Sequence, residues 1–290
     1  MNQINQKSPV VLGAVSYASK VVDIWEGFKI FFGKEGFPFD YVLYSNYERL
    51  VEALLKEEVD VAWNSPLAWI RAERMAEARG KEAIALAMRD TDCNLTSVIL
   101  SMKSKGFVTL KDLAGKTIAT GAIDSPQATL IPLEILKENG LLEGTNIKVV
   151  YNNILCGKHG DHVGGEEEAF KMLIDGTVDA ACMIKGNFDA FMDAMKVPYD
   201  SITILKETPS YDHCNFTAIK GHRTSDLHEF TRILLGMSYD DPEMKPLLDM
   251  EGLKKWREGR VSQYEILDAA VNSFTFYDSR GEITRKDYAY

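Results

Sequence analysis

Three of the four cysteines stand in polar, loop-like stretches: Cys93 in "RDTDCNLTS", Cys156 in "NNILCGKHGDH" and Cys214 in "YDHCNF". Three of the five histidines, His159, His162 and His213, fall in the last two of these. A thiol beside an imidazole can act as a nucleophile, because the imidazole takes its proton and the thiolate is the reactive form. Asp212 adds a carboxylate, so Cys214, His213 and Asp212 read as nucleophile, base and orienting acid, with Cys156 as a second candidate thiol. The competing reading is packing. Small cysteines at strand ends behave as weakly polar hydrophobes, and Cys182 in "VDAACMI" reads as core. His159 and His162 in "HGDH" have the spacing of two metal ligands on one helical turn. The surrounding glycines and the lack of a fixed third ligand favour instead a turn whose following acids, "EEE", suit a helix N-terminus. No metal and no cofactor are expected.

A second set of candidates is shaped for binding rather than reaction. Ser16 and Tyr17 in "GAVSYASK", and Asn64 and Ser65 in "WNSPLAW", follow strand-like runs and precede helix-like ones. Polar residues at such exits either contact a ligand through hydroxyls and backbone N–H groups or cap the next helix locally.

The elements that must position these residues are legible from hydrophobic period. "VVLGAVSY", "FDYVLY" and "VDVAWN" are strand-length apolar runs, and between them "VVDIWEGFKIFFGKEG" and "YERLVEALLKEE" repeat apolar residues at helical spacing. This alternation predicts an α/β fold with mostly parallel sheets covered by helices. The chain also repeats itself: "LVEALLKEEVDVAWNSP" (50–66) and "AFKMLIDGTVDAACMIKG" (169–186) each read helix, tight turn, strand, with Val59-Asp60 answering Val178-Asp179. Two lobes of one plan are implied. Two extended stretches, near 90–100 and 205–218, are read as hinge crossings, giving lobe 1 as 1–92 plus 218–290 and lobe 2 as 93–217. In such sheets ligands bind outside the carboxyl ends of the strands, so a cleft between two Rossmann-like lobes is expected.

Bulk properties narrow the partners. The 290 residues are 46% hydrophobic and 26% charged, with a formal net charge of -10. No basic cluster stands out, so neither nucleic acid nor an anionic membrane surface is expected as partner. No run approaches the roughly 18 apolar residues of a membrane span, so direct membrane insertion is not expected. The cysteines form no C-x-x-C pair, so thiols rather than a disulfide framework are predicted. The start reads directly into a strand, which places the chain in the cytoplasm as it stands, or in the periplasm or at the cell surface where a signal peptide preceded it.

"YSNYERLVEALLKEEVDVAWNSPLAWIRA", "TLKDLAGKTIATGAIDSPQATLIPLEILKENGL" and "EEEAFKMLIDGTVDAAC" together resemble the phosphonate-binding branch of the type II periplasmic binding proteins, the substrate receptors of ABC importers. The similarity of pattern runs from residue 10 to about 250. It implies the two-lobed type II fold, a small-molecule ligand, and an ABC permease or a regulator as partner. In that family the anion sits at a helix N-terminus, where unpaired N–H groups and the helix dipole favour it. The matching stretch is "DSPQAT", so the resemblance gives Ser125 and Gln127 as ligand contacts, although Pro126 removes one N–H donor. It likewise gives Tyr47 as a wall of the first lobe and Asp212 as the partner of a ligand amine. Glu166 stands where the family carries a histidine. An acidic group near a dianion costs on the order of a kcal/mol or more, which shifts the expected ligand from phosphonate toward a carboxylate, a neutral molecule or an amine.

Two functions follow. One is a solute receptor whose lobes close on a small polar or anionic molecule. The other is a cytosolic enzyme on the same fold, using the cysteine, histidine and aspartate side chains on a small carboxylate- or amine-bearing metabolite.

Overall fold

The computed structural model of the chain describes residues 8–161 and 164–290. It divides into two compact units. In chain order, the first unit begins with β1 (Val10–Val15), α1 (Lys20–Lys34), β2 (Phe39–Tyr44), α2 (Tyr47–Leu55), β3 (Val61–Asn64), α3 (Pro66–Glu77) and β4 (Ala83–Arg89). The second unit holds β5 (Ser97–Met102), β6 (Thr117–Thr120), α4 (Ile131–Glu138), β7 (Lys148–Tyr151), α5 (Gly164–Ile174), β8 (Ala180–Ile184), α6 (Lys185–Met195) and β9 (Ile202–Glu207). The chain returns to the first unit with β10 (Asn215–Ile219), α7 (Thr224–Leu235), α8 (Lys245–Glu251) and β11 (Trp256–Glu258). It then gives α9 (Glu265–Ser273) to the second unit.

The first unit's sheet has the order β11-β4-β10-β3-β1-β2, in which β1 pairs in parallel with β2 and β3 while β10 runs antiparallel between β3 and β4. The second unit's sheet, β7-β6-β8-β5-β9, has a parallel trio, β7-β6-β8, followed by two antiparallel pairings, β8 with β5 and β5 with β9. Both carry helices packed on them, as the alternating pattern predicts, but they are mixed rather than mostly parallel, because β10 and β5 enter antiparallel to their neighbours.

Helix α1 shows why the pattern was readable. Val21, Ile24, Trp25, Phe28, Phe31 and Phe32 are buried at intervals of three and four residues, so one stripe of the helix faces the sheet. That stripe meets an aromatic cluster on β10. Phe216 lies 4.6 Å from the Trp63 ring, 5.2 Å from Trp256 and 6.2 Å from Trp25. Close packing is also enforced at Gly13 in β1, where a Cβ would stand 2.3 Å from Leu50 Cδ1 of α2.

The internal repeat has a specific physical content. Asp60 Oδ2 accepts the Val11 N–H at 2.8 Å, and the Asp60 N–H donates to Val11 O, also at 2.8 Å. In the second unit Asp179 Oδ2 accepts the Thr117 N–H at 3.1 Å, and its own N–H donates to Thr117 O at 2.8 Å. Each aspartate therefore fastens the first residues of a strand to the parallel strand beside it. Asp60 is held further by His222 Nε2 at 2.6 Å and by Arg223 Nη1 at 2.9 Å.

The unit boundaries differ from the lobes expected from sequence. The first unit comprises residues 1–93, 213–261 and 279–281, and the second 94–212, 262–278 and 282–290. The C-terminal stretch, expected wholly in lobe 1, thus contributes α9 to the second unit. Ile266 and Phe274, at either end of that helix, pack on the core that contains Leu133 and Leu136 of α4, and Lys137 Nζ lies 5.6 Å above the Phe274 ring. Residues 213–217, expected in lobe 2, belong to the first unit because β10 inserts between β3 and β4.

Phe216→Ala removes the ring that touches three tryptophans, leaving a cavity in the first unit's core. Urea unfolding followed by tryptophan fluorescence is expected to show a loss of about 3–5 kcal/mol. A loss below about 1 kcal/mol would mean that this cluster is not what holds β10 in the sheet.

Candidate functional site

The six residues "YDHCNF" are divided between the units. Tyr211 and Asp212 belong to the second and His213 and Cys214 to the first. Tyr211 is buried, its hydroxyl 2.6 Å from Ser97 Oγ, and burial pushes its pKa up. The buried Asp212 carboxylate accepts the Asn94 N–H at 3.0 Å.

In the first unit His213 and Cys214 face a carboxylate other than Asp212. His213 Nδ1 is 3.1 Å from Cys214 Sγ and 3.6 Å from Asp92 Oδ1, and the His213 N–H donates to Asp92 O at 2.8 Å. The backbone from 212 to 214 is not yet strand. Successive side chains there are released from the alternation of a pleated strand, so the imidazole and the thiol can converge. Asp92 is gripped by Arg89, whose Nε donates to Oδ2 at 2.6 Å and whose Nη2 donates to Oδ1 at 2.9 Å. Arg89 also reaches back to α8, donating through Nη1 to Glu251 O at 2.8 Å, and its guanidinium lies 5.2 Å over the Trp63 ring. Burial raises the Asp92 pKa, but the Arg89 charge, with the His213 and Arg89 hydrogen bonds, outweighs it and brings the group down to about 2. Because Nδ1 faces both the thiol and Asp92, the arrangement is not a linear relay through the two ring nitrogens.

The strand exits of the first unit carry the other candidates. Ser65 caps α3, accepting the Ala68 N–H at 3.1 Å, with Pro66 at the first helical position. Asn64 Nδ2 donates to Thr217 Oγ1 at 2.9 Å, and the buried Oδ1 of Asn64 has no hydrogen-bond partner. Ser16 follows β1, its N–H donating to Tyr44 O at 3.0 Å. Tyr17 packs partly buried against the aromatic core with Lys20 Nζ above its ring. Tyr47 is buried among Leu50, Val51 and Ala72.

In the second unit Ser125 caps a wide helical turn, Pro126–Leu130, which leads into α4; its Oγ accepts the Ala128 N–H at 3.2 Å. This is the helix N-terminus the sequence singled out, and the loop 152–161 packs on it. Gln127 Nε2 donates to Gly160 O at 2.7 Å, and a Cβ on Gly160 would stand 2.5 Å from Ser125 Oγ. The same loop surrounds a buried carboxylate. Asp124 Oδ2 accepts the Gly157 N–H at 2.6 Å and the His159 N–H at 3.2 Å. The Tyr288 hydroxyl lies 3.5 Å from both Asp124 Oδ2 and His159 Nε2. Cys156 is half-buried in this loop, and His162 lies outside the described residues.

Glu166, in the first turn of α5, is buried. Its Oε2 accepts the Ile184 N–H at 3.0 Å and the Asn187 Nδ2 at 2.9 Å. Gly121, Ala122, Ser125, Ile154, Gly160, Gly165 and Glu166 line one concavity within this unit.

Sequence reasoning did not single out Arg89, Asp92, Glu251 or Tyr288. Arg89 and Asp92 stood in the quoted "RDTDC", but nothing local shows that antiparallel pairing of β10 with β4 will bring His213 to Asp92. Among the described residues, Asp92, His213 and Cys214 form the group of metal-ligating side chains whose atoms converge within 4.8 Å. All four cysteines are thiols, and Cys182 is fully buried, which pushes its pKa up. No helix among the described residues is long and apolar enough to cross a membrane.

A family model described as ABC transporter, phosphonate, periplasmic substrate-binding protein matches residues 15–264. Among solved structures, PhnD1 from Prochlorococcus marinus in complex with methylphosphonate is 19% identical over 92% of this chain and 98% of its own, with a TM-score of 0.67. XAC2383 from Xanthomonas citri bound to ATP is 16% identical over the same shares, with a TM-score of 0.69. The periplasmic aliphatic sulphonate binding protein SsuA from Escherichia coli is 15% identical over 92% of this chain and 83% of its own, with a TM-score of 0.54. At these identities the likeness is one of fold, and the fold is that of the two-lobed periplasmic binding proteins.

The Asp92 carboxyl is ionised at lower pH in the folded chain than its ordinary value of 3.8 in the unfolded one. Its stabilising contribution, about 2 kcal/mol, is therefore complete above pH about 4 and lost as pH falls through about 2. The stability difference between the unaltered chain and Asp92→Asn, measured by urea unfolding across this range, is expected to shrink with acid. A penalty independent of pH would show that the ion pair with Arg89 is not its source.

Proposed function

The chain belongs to the phosphonate-binding family of ABC-transporter periplasmic substrate-binding proteins, and from that membership we propose that it is the solute receptor of an importer, selective for a small molecule bearing an amine or a single negative charge rather than for a phosphonate dianion. The family match over residues 15–264 carries the receptor reading. It is a match to a receptor family and lends the enzyme reading no support.

The ligand class rests on the second unit. An anion at a helix N-terminus needs N–H donors directed at it. At Pro126–Leu130 the proline has no N–H and Ser125 Oγ takes that of Ala128. Glu166 lines the neighbouring concavity, and Asp124 adjoins Ser125. A dianion beside such carboxylates is disfavoured by on the order of a kcal/mol or more per pair, whereas an ammonium group is favoured by the same interactions. The delivery partner, in this reading, is an ABC permease.

Isothermal titration with methylphosphonate, an alkylsulfonate, and amine-bearing carboxylates of similar size tests both parts. One-to-one binding of an amine-bearing solute is expected, weakened about tenfold or more by Glu166→Gln through loss of a charge-assisted contact, and unchanged by Cys214→Ala. Tight binding of methylphosphonate would overturn the ligand class. Failure of every solute to bind, together with release of no small molecule from the purified protein by native mass spectrometry, would overturn the receptor reading.

A further inference from the structure

The group formed by the buried Asp92, His213, Cys214 and Glu251 with the partly buried Arg89 has no part in the solute reading. It lies wholly in the first unit, and three of its members carry the donor types that a borderline-soft metal ion takes: a thiol, an imidazole and a carboxylate. We propose that Asp92, His213 and Cys214 bind a divalent transition-metal ion of the zinc type, with Asp92 Oδ1, His213 Nδ1 and Cys214 Sγ as its protein ligands and a fourth position for water or another small donor.

The geometry supports three ligands to one ion. Bonds of about 2.0–2.3 Å in a tetrahedral set place ligand atoms roughly 3.3–3.6 Å from one another. Nδ1 lies 3.1 Å from Sγ and 3.6 Å from Oδ1, and all three atoms fall within 4.8 Å of one another. The two edges from Nδ1 are already near these lengths, and binding draws the thiol and the carboxylate to the same separation. The ligands are also held from behind. The His213 N–H is anchored on Asp92 O, and Arg89 fixes the carboxylate plane through one hydrogen bond to each oxygen. Each carboxylate oxygen has a second lone pair, so Oδ1 can accept from Arg89 and ligate at once.

Charge is the counter-argument, because a guanidinium beside a dication is unfavourable. Glu251 offsets it: its carboxylate Oε1 is 3.4 Å from Arg89 Nη1 and is itself buried. Binding converts the Cys214 thiol to a metal thiolate, forming the S–metal bond and releasing the thiol proton to solvent. With Asp92, Glu251 and the thiolate against Arg89 and a dication, the buried group is then neutral. Cys93 is not a ligand in this arrangement; its Sγ lies 3.5 Å from Arg89 O.

The test uses Co2+ and Zn2+ salts alone on the chelator-treated full chain. Co2+ is expected to bind one to one with a thiolate charge-transfer band that Zn2+ abolishes. That band should persist in Cys93→Ser, vanish in Cys214→Ser, and require at least about tenfold more Co2+ in Asp92→Asn. Should Cys214→Ser fail to fold, alkylation of the unaltered chain read by peptide mass spectrometry gives the same answer, with Zn2+ slowing modification at Cys214 at least about tenfold. Absence of the band, its survival without Cys214 in a folded chain, or an unchanged Cys214 alkylation rate overturns the proposal. None of these readouts depends on which solute the protein binds.

Discussion

The largely buried ion pair between Arg89 and Asp92 is the constraint on which the first unit's polar interior depends. A guanidinium taken largely out of water costs several kcal/mol unless its donors are satisfied, and here four hydrogen bonds engage it: to both oxygens of Asp92, the Glu251 carbonyl and the Glu251 carboxylate. The end of β4 is thereby tied to the end of α8, and the backbone that follows β4 is placed where His213 can bond to it. Removing either partner strands a buried charge, whereas replacing both by apolar residues could be neutral. The pair is thus a device for position more than for net stability. What it positions is the convergence of an imidazole and a thiol.

The repeated Val-Asp pair shows a related economy. In each unit one aspartate receives an N–H from the adjacent parallel strand at the point where the strand begins, which fixes register by one residue. A slip of one residue would turn every side chain of the strand to the opposite face, so the carboxylate protects the burial of the whole strand. The similarity of 50–66 to 169–186 is therefore a similarity of strand-starting chemistry. It says nothing by itself about ligand.

What could be read from sequence was what is local. The 3.6-residue stripe of α1, the serine and proline that start α3, and the helix-turn-strand repeat are encoded within a dozen residues and were legible. Pairings between distant segments were not. Asp92 and His213 meet because β10 enters the sheet antiparallel between β3 and β4, and the adjacent Asp212 was the natural but local choice of acid. The same limit explains the lobe boundary. The apolar face of α9 announces that the helix is buried, yet not that its partner is α4 rather than a helix of the first unit. Tyr47 reads as a pocket wall through family pattern and lies in the structure among core side chains of α2 and α3.

The electrostatics around the helix N-terminus of the second unit are set by the chain's own carboxylates. The helix N-terminus after β6 keeps its serine, and that serine satisfies its own helix through Ala128 N–H. The loop 152–161 then supplies backbone donors, but these converge on Asp124, a carboxylate of the chain itself. Backbone N–H groups already engaged by an internal anion contribute less to an external one, since each donor's field is largely neutralised at short range. Glu166 acts in the same direction, using the Ile184 N–H and Asn187 to hold a negative charge against the concavity. Two internal carboxylates thus engage N–H donors around this turn. In the proposed reading, these carboxylates favour an ammonium group over a dianion at the site.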